Sequence, residues 1–447
     1  MGIFEMEIKM IGFRNCGLLC HSFIFGLLSA ASITYSATPD TFGISTRSIS
    51  LGNSQTSGGD PAWAAWSNPA ALSDTDRPAV GLNLLYTSMS LKDLSDGAVA
   101  GNSGLPADNY DASKANSLRA SSFGLNLPLL RNVNLGFVGF LPGGSLAKIH
   151  GISGNESSYL RYSDRQSRPE VYTAIATSFD SFSLGIGAFY TVRAKAQIQA
   201  AFSSVASEDR ILIDLKPVMQ PYAGIQWKGN FGSEKLLTLG FTWREESKTK
   251  TDMDMNIVFD QESFNFTFNT LGQMVAWYDP ERLRIGSAVE TPEWGLFISG
   301  EFARWSDYQA PILRLSGKDI VTLTPGINTR QIELQDSYSL RAGYEYRVKM
   351  GQVPADLRVG IETHTSAVDP GQNDIAIVDM PRHVLSLGAG FNTEGNKVHP
   401  MSQPTSFDFA VQYNRLQLTK FQSDVSQVAV KAGGSALTVI GGFSYDM

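Results

Sequence analysis

"YSLRAGYEYRV" (residues 338–348) carries the pattern from which the fold of this chain can be predicted. Its apolar and polar residues alternate with a period of two, which is the pattern of a β-strand with two unlike faces. One face carries Tyr338, Leu340, Ala342, Tyr344 and Tyr346. The other carries Arg341, Gly343, Glu345 and Arg347. We therefore predict a strand that separates an apolar environment from a polar one.

The same alternation recurs along the chain, and the strands are near the length of about 9–11 residues that crosses a bilayer. Aromatic residues near strand ends are typical of a membrane barrel, and no apolar run is long enough for a membrane helix. We predict an all-β fold, a 14-stranded antiparallel transmembrane β-barrel over residues 79–447. The predicted strands are 79–91, 119–128, 132–141, 170–179, 181–194, 217–228, 235–249, 282–290, 294–305, 336–348, 356–364, 382–392, 405–417 and 436–446.

Long and short connections alternate between these strands. Tight turns such as LLRN (residues 129–132) follow even-numbered strands, and long polar connections follow odd-numbered ones. Long outer loops and short periplasmic turns are typical of bacterial outer-membrane barrels, and ring closure leaves no unpaired strand edge in lipid. We therefore place the apolar face toward lipid and the charged face toward the interior.

Residues 1–37 are predicted to be a signal peptide. Lys9 and Arg14 precede an apolar run at 18–28, and small residues follow up to Ala37, which is the usual three-part pattern. The alternative is a retained N-terminal anchor. The only two cysteines, Cys16 and Cys20, lie within this segment, so the mature chain has no disulfide or thiolate metal site. A net charge of −7 argues against a nucleic-acid partner, which requires a basic surface.

Residues 38–78 precede the first strand and contain DPAWAAWSNPAALSDTDRP (60–78). Two tryptophans and many alanines are unexpected in a free periplasmic tail. Irregular backbone is tolerated inside a barrel, where the polar inner wall satisfies it. We therefore predict a plug, or hatch, in the barrel interior; the alternative is a disordered linker.

This region resembles the plug motif of the FadL-type long-chain fatty acid transporters. SNPAALSDTDRPAVGLNLLY (67–86) is similar to that motif, and residues 278–308 are similar to paired strands of the family that end in Trp-Ser. The resemblance also implies a pairing of Asp379 with Arg382 before the twelfth strand. The hatch-motif residues are Trp66, Asn68, Pro69, Ala70, Asp76 and Arg77.

The sequence contains none of the catalytic, metal or cofactor motifs for which we searched, such as H-E-x-x-H and G-x-S-x-G. We therefore expect no enzyme activity, no metal and no cofactor. His364 and Ser366 could suggest a hydrolase, but we interpret His364 as a solvated residue at the outer rim.

The inward-facing arginines are candidates for ligand binding. A guanidinium group forms a bidentate pair with a carboxylate, so a cluster of arginines could hold an acidic head group. The alternative is an internal salt-bridge network that stiffens the wall and holds the hatch. The candidate arginines are Arg244, Arg341, Arg347 and Arg358.

Apolar residues also face inward at Leu85, Val138 and Phe189. They could line a path for a hydrophobic ligand or pack against the plug. The connections 195–216 and 250–281 are candidates for ligand capture, because the second is rich in Phe, Met and Trp. Its alternative interpretation is a strand that extends above the membrane.

The resemblance implies passive uptake of hydrophobic molecules, most simply long-chain fatty acids or hydrocarbons, across the bacterial outer membrane. Ligands would be captured at the outer loops, pass a site in the interior and leave after movement of the hatch. We expect a monomer in contact with outer-membrane lipid. Alternatives are a FadL-like surface scaffold or secretion-associated barrel without transport, and an outer-membrane hydrolase.

Overall fold

The computed structural model describes residues 39–94, 117–143, 157–163, 168–203, 207–232, 234–261, 264–308, 314–316, 332–351, 353–371, 377–393, 405–422 and 429–446. The predicted signal peptide at residues 1–37 lies outside the described residues. Within the described ranges, no helix is both long and apolar enough to cross a membrane.

Fourteen strands of the described chain form a closed antiparallel ring, which confirms the predicted barrel. Each of these strands pairs with the next one along the ring, and the last pairs with the first from Ala79–Asp446 to Leu91–Gly434. Closure leaves no strand edge open in the membrane. The ring consists of β1 (Ala79–Leu91), β2 (Ser117–Leu130), β3 (Val133–Pro142), β5 (Glu170–Phe179), β6 (Phe182–Ser203), β7 (Ser207–Asn230), β8 (Leu236–Arg244), β11 (Glu281–Glu290), β12 (Trp294–Arg304), β14 (Ser337–Met350), β15 (Val353–His364), β17 (Arg382–Thr393), β18 (Thr405–Gln422) and β19 (Ala429–Asp446).

Two predicted connections contain strands, and for 250–281 this agrees with the alternative interpretation of a strand that extends above the membrane. β6 and β7 continue as a hairpin through much of 195–216. The connection 250–281 holds most of the hairpin β9 (Ser247–Gln261) and β10 (Phe264–Asp279), and β13 (Arg314–Ser316) pairs with β10. The predicted strand 235–249 was therefore too long, because β8 ends at Arg244 and a separate strand begins at Ser247. β9 pairs in parallel with β6, so both hairpins belong to one sheet.

The two faces of the barrel wall are as predicted. Leu84, Ile186, Leu340 and Phe409 point outward and are exposed on the isolated barrel. The residues that alternate with them, such as Arg341, are buried. Apolar side chains therefore meet lipid, and the polar set lines the interior.

Residues 39–78 form a compact segment of short helices that we call the N-terminal segment. Its helices are Pro39–Phe42, Thr46–Ser50 and Ala64–Ser67, with 3-10 turns at Pro61–Trp63 and Pro69–Asp74. The side chains of Ser45, Asp60 and Asn68 each cap one of these elements, which satisfies backbone N–H groups at the helix starts. Most of the segment is buried.

Inward-facing glycines let the wall approach the N-terminal segment closely. Ten barrel strands each carry one such glycine, and a Cβ added to it would lie 3.0 Å or less from an atom of the N-terminal segment. At Gly360 it would lie 2.1 Å from the backbone nitrogen of Gly52, which itself has a φ of +63°. Both positions therefore require glycine. The ten glycines are Gly81, Gly124, Gly136, Gly185, Gly224, Gly240, Gly286, Gly343, Gly360 and Gly388.

Two outer connections fold back against the barrel interior. β4 (Ser158–Tyr159) pairs in parallel with β16 (Ile377–Val378). The Tyr159 hydroxyl donates to the Lys92 carbonyl over 2.8 Å. Tyr162 packs edge-on against Phe42 of the N-terminal segment, with ring centroids 5.9 Å apart. The segment is therefore contacted by outer connections as well as by the wall.

Candidate functional site

The three apolar residues predicted to face inward are buried in the barrel wall. Leu85 lies on β1, Val138 on β3 and Phe189 on β6. Val138 pairs with Tyr172 of β5, which in turn pairs with Phe189. The rings of Tyr172 and Phe189 stack with centroids 4.8 Å apart. Val138, Tyr172 and Phe189 therefore form one patch on β3, β5 and β6. Leu85 lies apart from it, because its partner Ala120 on β2 is four residues from Gly124, the partner of Val138. Contact of these side chains with a ligand remains a prediction.

Three arginines of the wall surround one carboxylate of the N-terminal segment. We call Arg244, Arg282 and Arg284 the arginine cradle. Arg244 ends β8, and Arg282 is its register partner on β11. Arg244 donates to Asp40, Arg284 Nη2 donates to Asp40 Oδ1 over 3.0 Å, and Arg282 Nε lies 3.4 Å from Asp40 Oδ2. Three cations this close need a counter-charge, and Asp40 supplies one.

Glu301 of β12 supplies the second counter-charge. Its Oε1 accepts from Arg282 Nη1 over 2.7 Å, and its Oε2 accepts from Arg284. Arg341 of β14 also lies within 3.4 Å of this carboxylate. The cradle thus holds three cations and two carboxylates in a buried space, and Glu301 is shared with a fourth arginine.

The pKa of Asp40 reflects this arrangement. Burial of the Asp40 carboxyl acts to raise its pKa, because a charge is poorly solvated there. The attraction of Arg244, Arg282 and Arg284 outweighs burial and holds the pKa well below its usual range. Asp40 is therefore a carboxylate at neutral pH, and the ion pairs tie the start of the N-terminal segment to the wall.

From the sequence we expected His364 to be a solvated residue at the outer rim, and the structure places it elsewhere. It is buried, and its Nε2 lies between Glu362 and Arg382, 2.8 Å from the Arg382 guanidinium. Arg341 Nε donates to the same Glu362 over 2.9 Å. The expectation was wrong because His364 is the last residue of β15 and alternates with Glu362 on the inward face.

A second network lies nearer the periplasmic turns, around Glu345 of β14. Arg47 of the N-terminal segment donates to both carboxylate oxygens of Glu345, over 2.9 and 3.1 Å. Arg358 and Arg347 donate to the same group over 2.7 and 3.0 Å. Arg358 also pairs with Asp408. All four arginines predicted as a head-group locus are therefore paired with carboxylates, as the salt-bridge interpretation expects.

The Asn-Pro-Ala motif joins the N-terminal segment to the wall. Asn68 Oδ1 accepts from the Ala70 backbone N–H over 3.0 Å, and Asn68 Nδ2 donates to the carbonyls of Thr56 and Ile225 over 2.8 and 3.3 Å. A Cβ added to Gly185 would lie 2.3 Å from the Pro69 carbonyl carbon. The motif therefore combines a helix cap with contacts to two barrel strands.

The remaining motif residues lie in different surroundings. Trp66 is buried, with the Arg284 guanidinium 5.5 Å from its ring centroid. Asp76 and Arg77 are exposed beside the start of β1, so they do not contribute to the buried contacts. The carboxylate of Asp379, which the resemblance paired with Arg382, instead accepts from Arg161 over 3.2 Å.

Sequence reasoning missed Asp40, Arg47, Arg282 and Glu301. Arg282 and Glu301 share the two-residue period of inward neighbours, so the alternation could have identified them. Asp40 and Arg47 lie in a segment without such a period, and their partners are about 200 or more residues away in sequence. A local sequence pattern gives no indication of contacts between residues so far apart in the chain.

Residues 180–442 match the model of a family described as outer membrane protein transport protein (OMPP1/FadL/TodX). This chain is similar to alkane uptake protein A of Marinobacter nauticus (strain ATCC 49840 / DSM 8798 / CIP 103578 / SP17), with 22% identity over 415 residues. That similarity covers 87% of this chain and 85% of the relative.

Two solved structures share the fold. A Pseudomonas aeruginosa FadL homologue has a TM-score of 0.56 and 16% identity, and the match covers 93% of this chain and 99% of that chain. The P. putida toluene transporter TodX has a TM-score of 0.54 and 11% identity, with 91% and 99% covered. At such identities the likeness concerns the fold alone.

Proposed function

Because this chain belongs to the OMPP1/FadL/TodX family of outer-membrane transport proteins, we propose that it takes up uncharged hydrocarbons such as alkanes. It is a channel of the bacterial outer membrane rather than an enzyme. Long-chain fatty acids, the first expectation from the sequence, are the competing substrates.

The pairing of the interior arginines supports this choice. Arg244, Arg341, Arg347 and Arg358 each contact at least one carboxylate of the chain. A fatty acid head group would have to displace one of these carboxylates, whereas an uncharged molecule needs no cation. The name of the similar alkane uptake protein A points in the same direction.

The outer hairpins are our proposed capture surface. By register, residues of β6 and β9 lie opposite each other on one face of the shared sheet, and most of that face is apolar in sequence. A sheet with one apolar face above the membrane suits first contact with a hydrophobic compound. The register pairs are Ala196 with Met253, Ile198 with Met255 and Ala200 with Ile257.

The N-terminal segment is our proposed hatch, with residues 38–78 as its extent. It carries the Asp40 and Arg47 ion pairs and the Asn68 contacts described above. Leu85, Val138 and Phe189 are proposed to line the path beside it. Ligands would pass when the segment moves relative to the wall.

Uptake of radiolabelled hexadecane and oleate by the parent bacterium, with and without the gene, tests the proposal. We expect deletion to reduce hexadecane uptake more than oleate uptake, and expression of the wild-type chain to restore it. A selective loss of oleate uptake would instead support fatty acids. Unchanged uptake of both would contradict transport and favour a scaffold role.

A further inference from the structure

We propose that Asp40 determines substrate specificity by occupying the arginine cradle, so that its carboxylate excludes organic acids while uncharged hydrocarbons pass. The inference rests on the proposed function and deepens it. It assigns to one residue of the N-terminal segment the choice between acids and hydrocarbons.

The cradle has the chemistry of a carboxylate site. Arg244, Arg282 and Arg284 converge from adjacent strands on a single point, and that point is occupied by the two oxygens of Asp40. Guanidinium groups are preferred where a carboxylate is bound through several N–H donors. Asp40 itself is nearly inaccessible to solvent, with 4% of its side chain exposed.

The surroundings of the cradle would also suit an apolar tail. The Arg244 guanidinium lies 5.4 Å from the ring centroid of Phe189, and Arg284 lies similarly against Trp66. The rings of Phe189 and Trp66 thus offer apolar contacts to the hydrocarbon chain of an acid whose carboxylate is bound in the cradle.

Charge balance explains why the vacancy would be filled. Without the Asp40 carboxylate, Arg282 and Arg284 would share Glu301, which also contacts Arg341. Arg244 would lose its ion pair and keep its hydrogen bond to the Tyr172 hydroxyl. Buried cations without partners are costly, so the cradle would recruit an external carboxylate. In the wild type, Asp40 competes with external acids at the high effective concentration of a tethered group.

Replacing Asp40 by Asn tests the inference on the full-length barrel in a non-ionic detergent. Binding of radiolabelled dodecanoate should be weak in the wild type and at least about tenfold tighter in D40N, because hydrogen bonds between charged groups correspond to changes of that order. In cells, D40N should raise the ratio of oleate to hexadecane uptake. Equal dodecanoate affinity of folded wild-type and D40N barrels would overturn the inference.

Asp307→Asn is the matched control, because it makes the same charge change at an exposed outer position. It should bind dodecanoate as the wild type does. If D40N does not assemble, D40N combined with Arg282→Met keeps the wild-type net charge and leaves Arg244 and Arg284 for the acid. This double variant should also bind dodecanoate more tightly than the wild type, and unchanged binding would overturn the inference.

The binding assay separates this inference from the proposed function. If gene deletion leaves hexadecane uptake unchanged while D40N gains dodecanoate affinity, the proposed substrate is wrong and the role of Asp40 stands. If deletion abolishes hexadecane uptake and D40N gains no affinity, the substrate stands and the role of Asp40 is wrong.

Discussion

Asp40 gives the N-terminal segment a defined response to pH. Its pKa is lowered in the folded protein relative to the ordinary value of 3.8. Its ion pairs therefore stabilise the fold above that value, and this contribution is lost as pH falls through the lower folded pKa.

We predict that wild type and D40N differ in heat stability by a constant amount from about pH 8 to about pH 5, and that the difference shrinks below about pH 4. The heat stability of each protein is measured as the temperature at which the band of the folded barrel disappears on a gel. A difference that already narrows near neutral pH would contradict the assignment of the ion pairs to Asp40.

Gly360 offers a second test at the scale of one residue. A methyl group there would meet the Gly52 nitrogen at 2.1 Å and the Leu51 carbonyl carbon at 2.3 Å, and backbone atoms cannot rotate away. We expect Gly360→Ala to destabilise the barrel by about 1–3 kcal/mol, the usual cost of overpacking. Gly300→Ala is the control, because its nearest neighbour is 3.8 Å away. Equal heat stability of the two variants would contradict the close packing.

The outer hairpins can be tested through their pairing. The only cysteines are Cys16 and Cys20, within the predicted signal peptide, so introduced cysteines can be followed without interference. Gln199 and Asn256 are register partners on β6 and β9. We predict that Q199C with N256C forms a disulfide on mild oxidation, since partners lie within about 4.4–6.8 Å between Cα atoms.

The control pair is Q199C with Asp252→Cys. Residue 252 lies four positions from 256, about 13 Å along the strand, and should not cross-link. A shift in gel mobility after oxidation reports the disulfide. Cross-linking of the control alone would show that β9 is paired in a different register.

Strands were predictable from sequence where one face meets lipid and the other meets a polar interior. The alternation at Tyr338–Val348 is typical, and each of the fourteen predicted barrel strands is present. For 250–281 the sequence left a strand above the membrane as the alternative to a capture loop, and the hairpin β9–β10 agrees with that alternative. Phe264, Phe266 and Phe268 of β10 do alternate with polar residues. The interior pairs were predictable only in part. The inward arginines and Glu345 follow from the period, but the pairs of Arg244 with Asp40 and of Glu345 with Arg47 depend on how distant parts of the chain meet.

In the complete barrel, we propose that the N-terminal segment determines whether the interior is an open pore. It contacts glycines on ten strands of the wall, and ion pairs anchor it through Asp40 and Arg47. We predict that a barrel lacking residues 39–76 has a larger single-channel conductance in planar bilayers than the full-length barrel. Equal conductance of the two proteins would contradict the hatch proposal. Both proteins must first be shown to be folded, by the same heat-dependent change in their mobility on a gel.

The pairing of β1 with β19 has a consequence for biogenesis. The ring cannot close until the C-terminal strand, ending at Asp446, has been delivered to the membrane. The N-terminal segment is synthesised first, yet it ends up enclosed by strands that follow it. We expect the growing sheet to fold around an N-terminal segment that is already in place. Inserting folded helices into a closed barrel would require breaking the pairing of β1 with β19.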